Sequence, residues 1–176
     1  MEILLYLVAG LALVVLILNF AAPKSYHVSR SIDIRKPSAE VFNYVKYLKN
    51  QDEWSPWAAK DPDMEKEFTG TDGEVGAISS WKGNKEVGEG EQEIMKVVEG
   101  KQLETHLRFF KPFRSESDAY IRVVEVNEHR SRVTWGFSGE NKFPVNIMML
   151  FMNMDKAIGK DFDHGLQNLK NHLETK

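Results

Sequence analysis

The alternation of apolar and polar positions changes character once along this chain, at Pro23. Ile3 to Leu18 is an unbroken run of apolar or small residues, and past Asn19 the segment Phe20-Ala21-Ala22 carries it to Pro23. At ~1.5 Å per residue, ~20 helical residues reach ~30 Å, the thickness of a bilayer's hydrocarbon core. A cleaved leader fits less well. The segment opens Met1-Glu2 with no basic residue, the run is too long, and cleavage after Ala22 would put Phe20 where a small residue is wanted. The expectation is a transmembrane anchor over residues 1–23 and one domain over residues 24–176.

Beyond Pro23 the periods are those of strands and amphipathic helices. Tyr26, Val28, Arg30, Ile32 and Ile34 alternate with His27, Ser29, Ser31 and Asp33, which predicts a strand with one mostly apolar face. Lys36-Pro37-Ser38 ends it, with Ser38 placed to cap a helix that carries Val41, Phe42, Val45 and Leu48 and stops near Asn50. Gln51 to Pro62 is dense in turn residues and holds Trp54-Ser55-Pro56-Trp57, read as a short helical loop.

From Glu65 to Gly139 strands are separated by turns at Asp72-Gly73, Gly83-Asn84, Glu99-Gly100, Lys111-Pro112 and Asn127-Glu128. The inward sets are Leu103, Thr105, Leu107 and Phe109, then Ala119, Ile121 and Val123, then Val133, Trp135 and Phe137. Clean alternation and short turns imply an antiparallel sheet with one wet face. Gly70, Gly73 and Gly76 read as turn geometry, and Gly88-Glu89-Gly90 as a bulge. Ile158, Phe162, Leu166, Leu169 and Leu173 step by 4, 4, 3 and 4, the stripe of a long amphipathic helix. An α+β architecture follows, with that helix laid across the concave face of the sheet.

Composition narrows the function classes. With 23 Lys and Arg against 26 Asp and Glu, the net charge is −3 and no basic stripe exists, which argues against a nucleic-acid partner. There is no cysteine, which suits a cytoplasmic domain and excludes a lipid anchor through a thiol. Lys24, Arg30, Arg35 and Lys36 follow the apolar run closely, so the positive-inside tendency puts the domain on the cytoplasmic side of a single-pass protein.

Several strings, in order, resemble the START-like SRPBCC superfamily, and within it the polyketide cyclase/dehydrase branch. They are Ile34-x-x-Pro37-x-x-x-Val41-Phe42, Trp54-Ser55-Pro56-Trp57, Gly73-x-x-Gly76, Trp81-x-Gly83, Val133-Thr134-Trp135 and Asp161-Phe162-x-x-Gly165-Leu166-x-x-Leu169-Lys170. Together they cover residues ~26–174. The resemblance implies a helix-grip fold, a curved seven-stranded antiparallel sheet around the C-terminal helix, with an internal cavity. Members generally bind apolar small molecules, and some are cyclases or aromatases. The apolar N-terminal run lies outside the resemblance and biases the ligand toward lipids or membrane-soluble compounds.

Candidate site residues come from both readings. Trp54 and Trp57, held by the intervening proline, would form either an aromatic wall over the cavity or core packing. Trp81, Phe109, Trp135 and Phe137 are wall candidates. Gln92, Thr105 and Ser117 share inward parity and would orient a ligand's oxygen atoms. Met148 and Met152, in a cluster with Met149 and Met154, suit a mobile gate, a turn packed against the sheet, or contact with the bilayer. Catalytic chemistry is not nominated. The five histidines are scattered, Asp161 and His164 read as solvent-facing, Glu89, Glu91 and Glu93 as a solvated face, and no metal-ligand set or cofactor motif is present.

A binding module for a small hydrophobic or amphipathic ligand, in a closed and mostly apolar cavity, is therefore the leading expectation. The rivals are a cyclase, aromatase or dehydratase using the same cavity, and a partner-binding protein whose cavity is filled.

Overall fold

A computed structural model describes residues 1–175. Helix α1 (Glu2–Ala21) has no buried residue, and it is long and apolar enough to cross a membrane. Only Ala22, Pro23 and Lys24 separate it from β1 (Ser25–Ile34). Then come α2 (Ser38–Val45), a 3₁₀ turn (Lys49–Glu53) and α3 (Pro56–Lys60). Six strands follow: β2 (Glu65–Thr69), β3 (Ile78–Lys82), β4 (Glu89–Val98), β5 (Gln102–Lys111), β6 (Ser115–Asn127) and β7 (Arg130–Glu140). The short α4 (Val145–Met148) and the long α5 (Met154–Thr175) close the chain.

The seven strands make one antiparallel sheet in the order β1-β7-β6-β5-β4-β3-β2. Consecutive strands from β2 to β7 are neighbours joined by turns, and β1 returns to pair with β7 at the edge. The alternation sets the faces as expected: Leu103, Ala119, Ile121, Val123, Val133 and Trp135 point into the core. The stripe on α5 meets them, with Phe162, Leu166, Leu169 and Leu173 buried beside Val28 and the α2 residues Val41, Phe42 and Val45. A second apolar cluster (Leu48, Ala77, Ile94, Leu103) sits under the β4 end of the sheet.

Local structure departs from the sequence reading near α2. Pro37, not Ser38, precedes the first helical turn, and Ser38 makes no capping hydrogen bond. The helix stops at Val45 instead of near Asn50. A tertiary cap intervenes: the Asp72 carboxylate, on the β2–β3 turn, accepts from the backbone amides of Leu48 (2.7 Å) and Lys49 (3.1 Å). These orphan amides thus open a new turn. Trp54-Ser55-Pro56-Trp57 lies in the short helical connection expected there. Trp54 closes the 3₁₀ turn and Pro56 occupies the first position of α3, where its missing N–H costs nothing.

Ion pairs stitch α5 along the edge strand. Arg30 holds Asp155 (2.8 Å) and Asp163 (3.2 Å), Arg35 holds Glu174 (2.9 Å), and Lys170 Nζ donates to the Asp33 carbonyl (2.8 Å). Hydrogen bonds from Arg30 hold the Asp155 carboxyl below the usual carboxylate range. Arg35 does the same for Glu174, and Arg132, across the β1–β7 ladder, for Asp33. A carboxyl whose folded value is depressed stabilises the fold above its unfolded value, and that contribution is lost as pH falls. The thermal midpoint should therefore stay level from neutrality down to about pH 5 and drop below about pH 4. Circular dichroism melts across that range check it, and Glu174→Gln should flatten part of the drop.

Candidate functional site

Between α5 and the far half of the sheet the core does not close. A cleft of about 310 Å³ remains, bounded by the 3₁₀ turn and α3 on one side and by β2, β3 and the β3–β4 loop on the other. It is open to solvent along one side, not the sealed cavity expected from the sequence. Its formation follows from side-chain sizes. Ala119 gives a shallow floor, and Trp57, Trp81, Phe109, Trp135 and Phe137 stand around it. Phe162 stacks on Trp135 at 4.2 Å and 8°, so helix and sheet share one aromatic wall. Trp81 meets Phe109 edge-on at 5.9 Å. Room for the Trp81 ring comes from Gly90: a Cβ there would lie 2.6 Å from it. The ladder shifts register between Glu89 and Gly90, which is the bulge anticipated for that segment.

The candidates named from sequence divide clearly. Trp57, Trp81, Gln92, Phe109, Trp135 and Phe137 line the cleft. Trp54 does not. Its side chain is buried in the core, edge-on to Trp135 at 4.9 Å, because closure of the 3₁₀ turn aims it under α5. Thr105 is buried behind the wall, where its hydroxyl accepts from Gln92 Nε2 at 3.0 Å, so it orients the amide that faces the cleft. Ser117 has the expected inward parity, but its hydroxyl is shared with that of Tyr26 at 2.8 Å. It sits on β6 opposite the cleft residue Leu107 but does not itself line the cleft. Burial also pushes the Tyr26 phenol up, keeping it neutral.

Met148 and Met152 do not gate the cleft. α4 and the turns after it lie beside the end of α1, with both side chains exposed, because Asn146 docks on Asn19. Met152 instead borders a second, shallow notch against Pro23 and Tyr26.

Other wall residues were not singled out in the sequence. Ile158 and Phe162 were read as core stripe, and Leu107 only as an inward residue. Asp161 corrects an expectation: it is not simply solvent-facing but sits at the rim of the cleft, paired with Lys60 at 2.6 Å. A second rim pair joins Asp52 to Lys66. Spacing along the chain carries no signal for these pairs, which join residues 101 and 14 positions apart on separate elements. His164 is exposed as expected, and Arg108 bridges Glu91 (2.6 Å) and Glu93 (2.5 Å) on the wet face. Among the described residues no cluster of ligating side chains suited to a metal is found.

The chemistry on offer is apolar contact, a few neutral polar groups (Gln92 backed by Thr105, its cross-strand neighbour Ser79, and Gln51 and Ser55) and a charged rim. A curved sheet gripping a long helix around such a cleft defines the helix-grip class of α+β proteins. This chain belongs to the polyketide cyclase / dehydrase and lipid transport family, whose sequence model matches residues 25–174. No curated protein matches it in sequence.

Solved structures share the fold at low identity. Norcoclaurine synthase from Thalictrum flavum, solved with dopamine and hydroxybenzaldehyde, superposes with TM-score 0.64 at 11% identity, over 86% of this chain and 88% of its own. A major latex-like protein from Panax ginseng gives 0.61 at 12%, over 85% and 98%. A protein from Thermobifida fusca gives 0.60 at 20%, over 82% and 90%.

Proposed function

We propose that this chain is a membrane-tethered binding module that holds a small hydrophobic or amphipathic ligand, lipid-like or aromatic, in the cleft. The observation that carries the reading is the cleft's composition. About 310 Å³ lies at the small end of ligand-pocket volumes, which run from roughly 300 to 1,000 Å³. Its wall is mostly aromatic and aliphatic, with Gln92 and its cross-strand neighbour Ser79 as polar groups placed to meet a ligand oxygen. At the rim Asp161 is held by Lys60 and Asp52 by Lys66, with the Glu86 carboxylate on the β3–β4 loop beside them, which favours a polar end at the mouth over a charge in the interior. The family's printed scope, which includes lipid transport, supports an apolar ligand.

In this reading α1 is the tether, and the basic residues that follow it (Lys24, Arg30, Arg35 and Lys36) support a domain on the cytoplasmic side. Residues 1–23 then form the anchor and residues 24–176 the binding domain.

The test is native mass spectrometry of the full chain purified from membranes in detergent, followed by mass spectrometry of its solvent extract. The expected result is a chain released only by detergent and carrying one stoichiometric small molecule. A bare chain, together with an empty extract, overturns the binding reading. Recovery of the chain without detergent overturns the tether.

A further inference from the structure

The end of the sheet from which α1 emerges carries a group of large exposed apolar side chains. Phe151 is 82% exposed, Phe113 70% and Phe143 61%, and Met148 and Met152 are about half exposed. Strand register brings them to one end. Ser25 pairs with Glu140, Ser117 with Gly139, and Phe109 with Ser115. The start of β1, the end of β7 leading into α4, and the β5–β6 turn holding Phe113 therefore project in the same direction.

Two contacts set the depth of this surface against α1. The Asn146 side chain, 1% exposed, donates from Nδ2 to Asn19 Oδ1 at 2.6 Å. The Asn141 amide donates to the Lys24 carbonyl at 2.8 Å. Asn19 lies in the last turn of a helix whose ~30 Å length matches the hydrocarbon core, so whatever is hydrogen-bonded to it stands at the lipid–water boundary. α4 and the turns through Met152 are held at that level. Lys142 and Lys156 flank the segment and Arg114 follows Phe113, the pairing of apolar side chains with cations that suits an anionic headgroup layer.

We infer that Phe113, Phe143, Met148, Phe151 and Met152 form a seat that rests in the headgroup–acyl boundary of the same bilayer α1 crosses, fixing the domain's orientation on the membrane. This rests on the tether proposed above. The β3–β4 loop, which supplies Val87 to the cleft, lies at this same end, since Lys82 pairs with Glu89 and Glu89 with Lys111. The seat therefore turns that part of the rim toward lipid.

The absence of native cysteine makes the test direct. Leu11→Cys, Phe113→Cys, Phe151→Cys and Val126→Cys are each made in the full chain, labelled with an environment-sensitive fluorophore and reconstituted in vesicles of phosphatidylcholine with anionic phosphatidylglycerol, brominated on both the upper and the lower acyl carbons, since residue 11 lies at mid-helix and the seat at the boundary. Val126 is exposed near the β6–β7 turn, at the opposite end of the sheet, and is the water reference. The labels at 11, 113 and 151 should lose most of their emission to bromine, and the label at 126 should not. Quenching at 11 alone overturns the seat and leaves the tether standing. Blue-shifted but unquenched emission at 113 and 151 means that protein, such as a second copy, covers the face, and also overturns it. No quenching at 11 overturns the tether itself, and the seat with it.

Discussion

Replacing Trp54 by alanine should cost about 3–5 kcal/mol of unfolding free energy, the range for deleting a large buried aromatic. Trp57→Ala should cost roughly half that or less. The two rings are three residues apart and both meet Trp135 edge-on, at 4.9 and 5.6 Å, so sequence and contact partner do not separate them. Burial does. Trp54 is 1% exposed beneath α5, and its backbone carbonyl also accepts from Asn168 Nδ2 at 3.2 Å. Trp57 stands in the cleft wall, part exposed, with the Lys60 ammonium 5.8 Å from its ring. A refinement follows from the Trp54 indole. Its Nε1–H is buried without an acceptor among the described residues. Trp54→Phe removes that unsatisfied donor along with some volume, so it should cost much less than the alanine change. Urea unfolding of the three variants in one detergent gives the order. Equal costs for Trp54→Ala and Trp57→Ala would contradict the assignment of Trp54 to the core.

Ile158→Trp should empty the cleft of ligand while leaving the fold in place. Ile158 projects from α5 into the cleft and is only partly buried, so a larger ring has the open volume to enter and little to displace. Overpacking of a tight core costs about 1–3 kcal/mol, and this site should lie at the bottom of that range. Ligand carried through purification should fall at least about tenfold, equivalent to about 1.4 kcal/mol of binding. Counting bound molecules per chain by native mass spectrometry, beside a thermal melt, checks both halves. Undiminished occupancy in a folded variant would place the ligand elsewhere.

The fold was largely legible because its faces are written in period two. Leu103, Thr105, Leu107 and Phe109 declare their side of β5 without reference to any other strand, and the 4, 4, 3, 4 stripe does the same for α5. The cleft was legible only in part, for a physical reason. Parity says that Trp135, Phe137 and Ser117 point inward, but inward includes both filled core and open wall. What separates them is where long-range neighbours stop. Ser117 is claimed by Tyr26 from β1, ninety-one positions away. Trp54 is covered by α5. Gln92 remains at the wall because Thr105 behind it takes only one of its amide hydrogens. The ends of α2 show the same limit: the residue that stops the helix's continuation is Asp72, on a turn that propensity assigns to another element.

The three-residue link between α1 and β1 has a consequence for kinetics. Extended, three residues reach ~10 Å, so with α1 in a bilayer the cleft never leaves a layer about one domain deep. Ligand dissolved in that membrane would be met by lateral diffusion, and loading would scale with its mole fraction in the lipid and not with its concentration in water. Dilution of the cell extract would then change occupancy little, whereas dilution with empty lipid would change it in proportion.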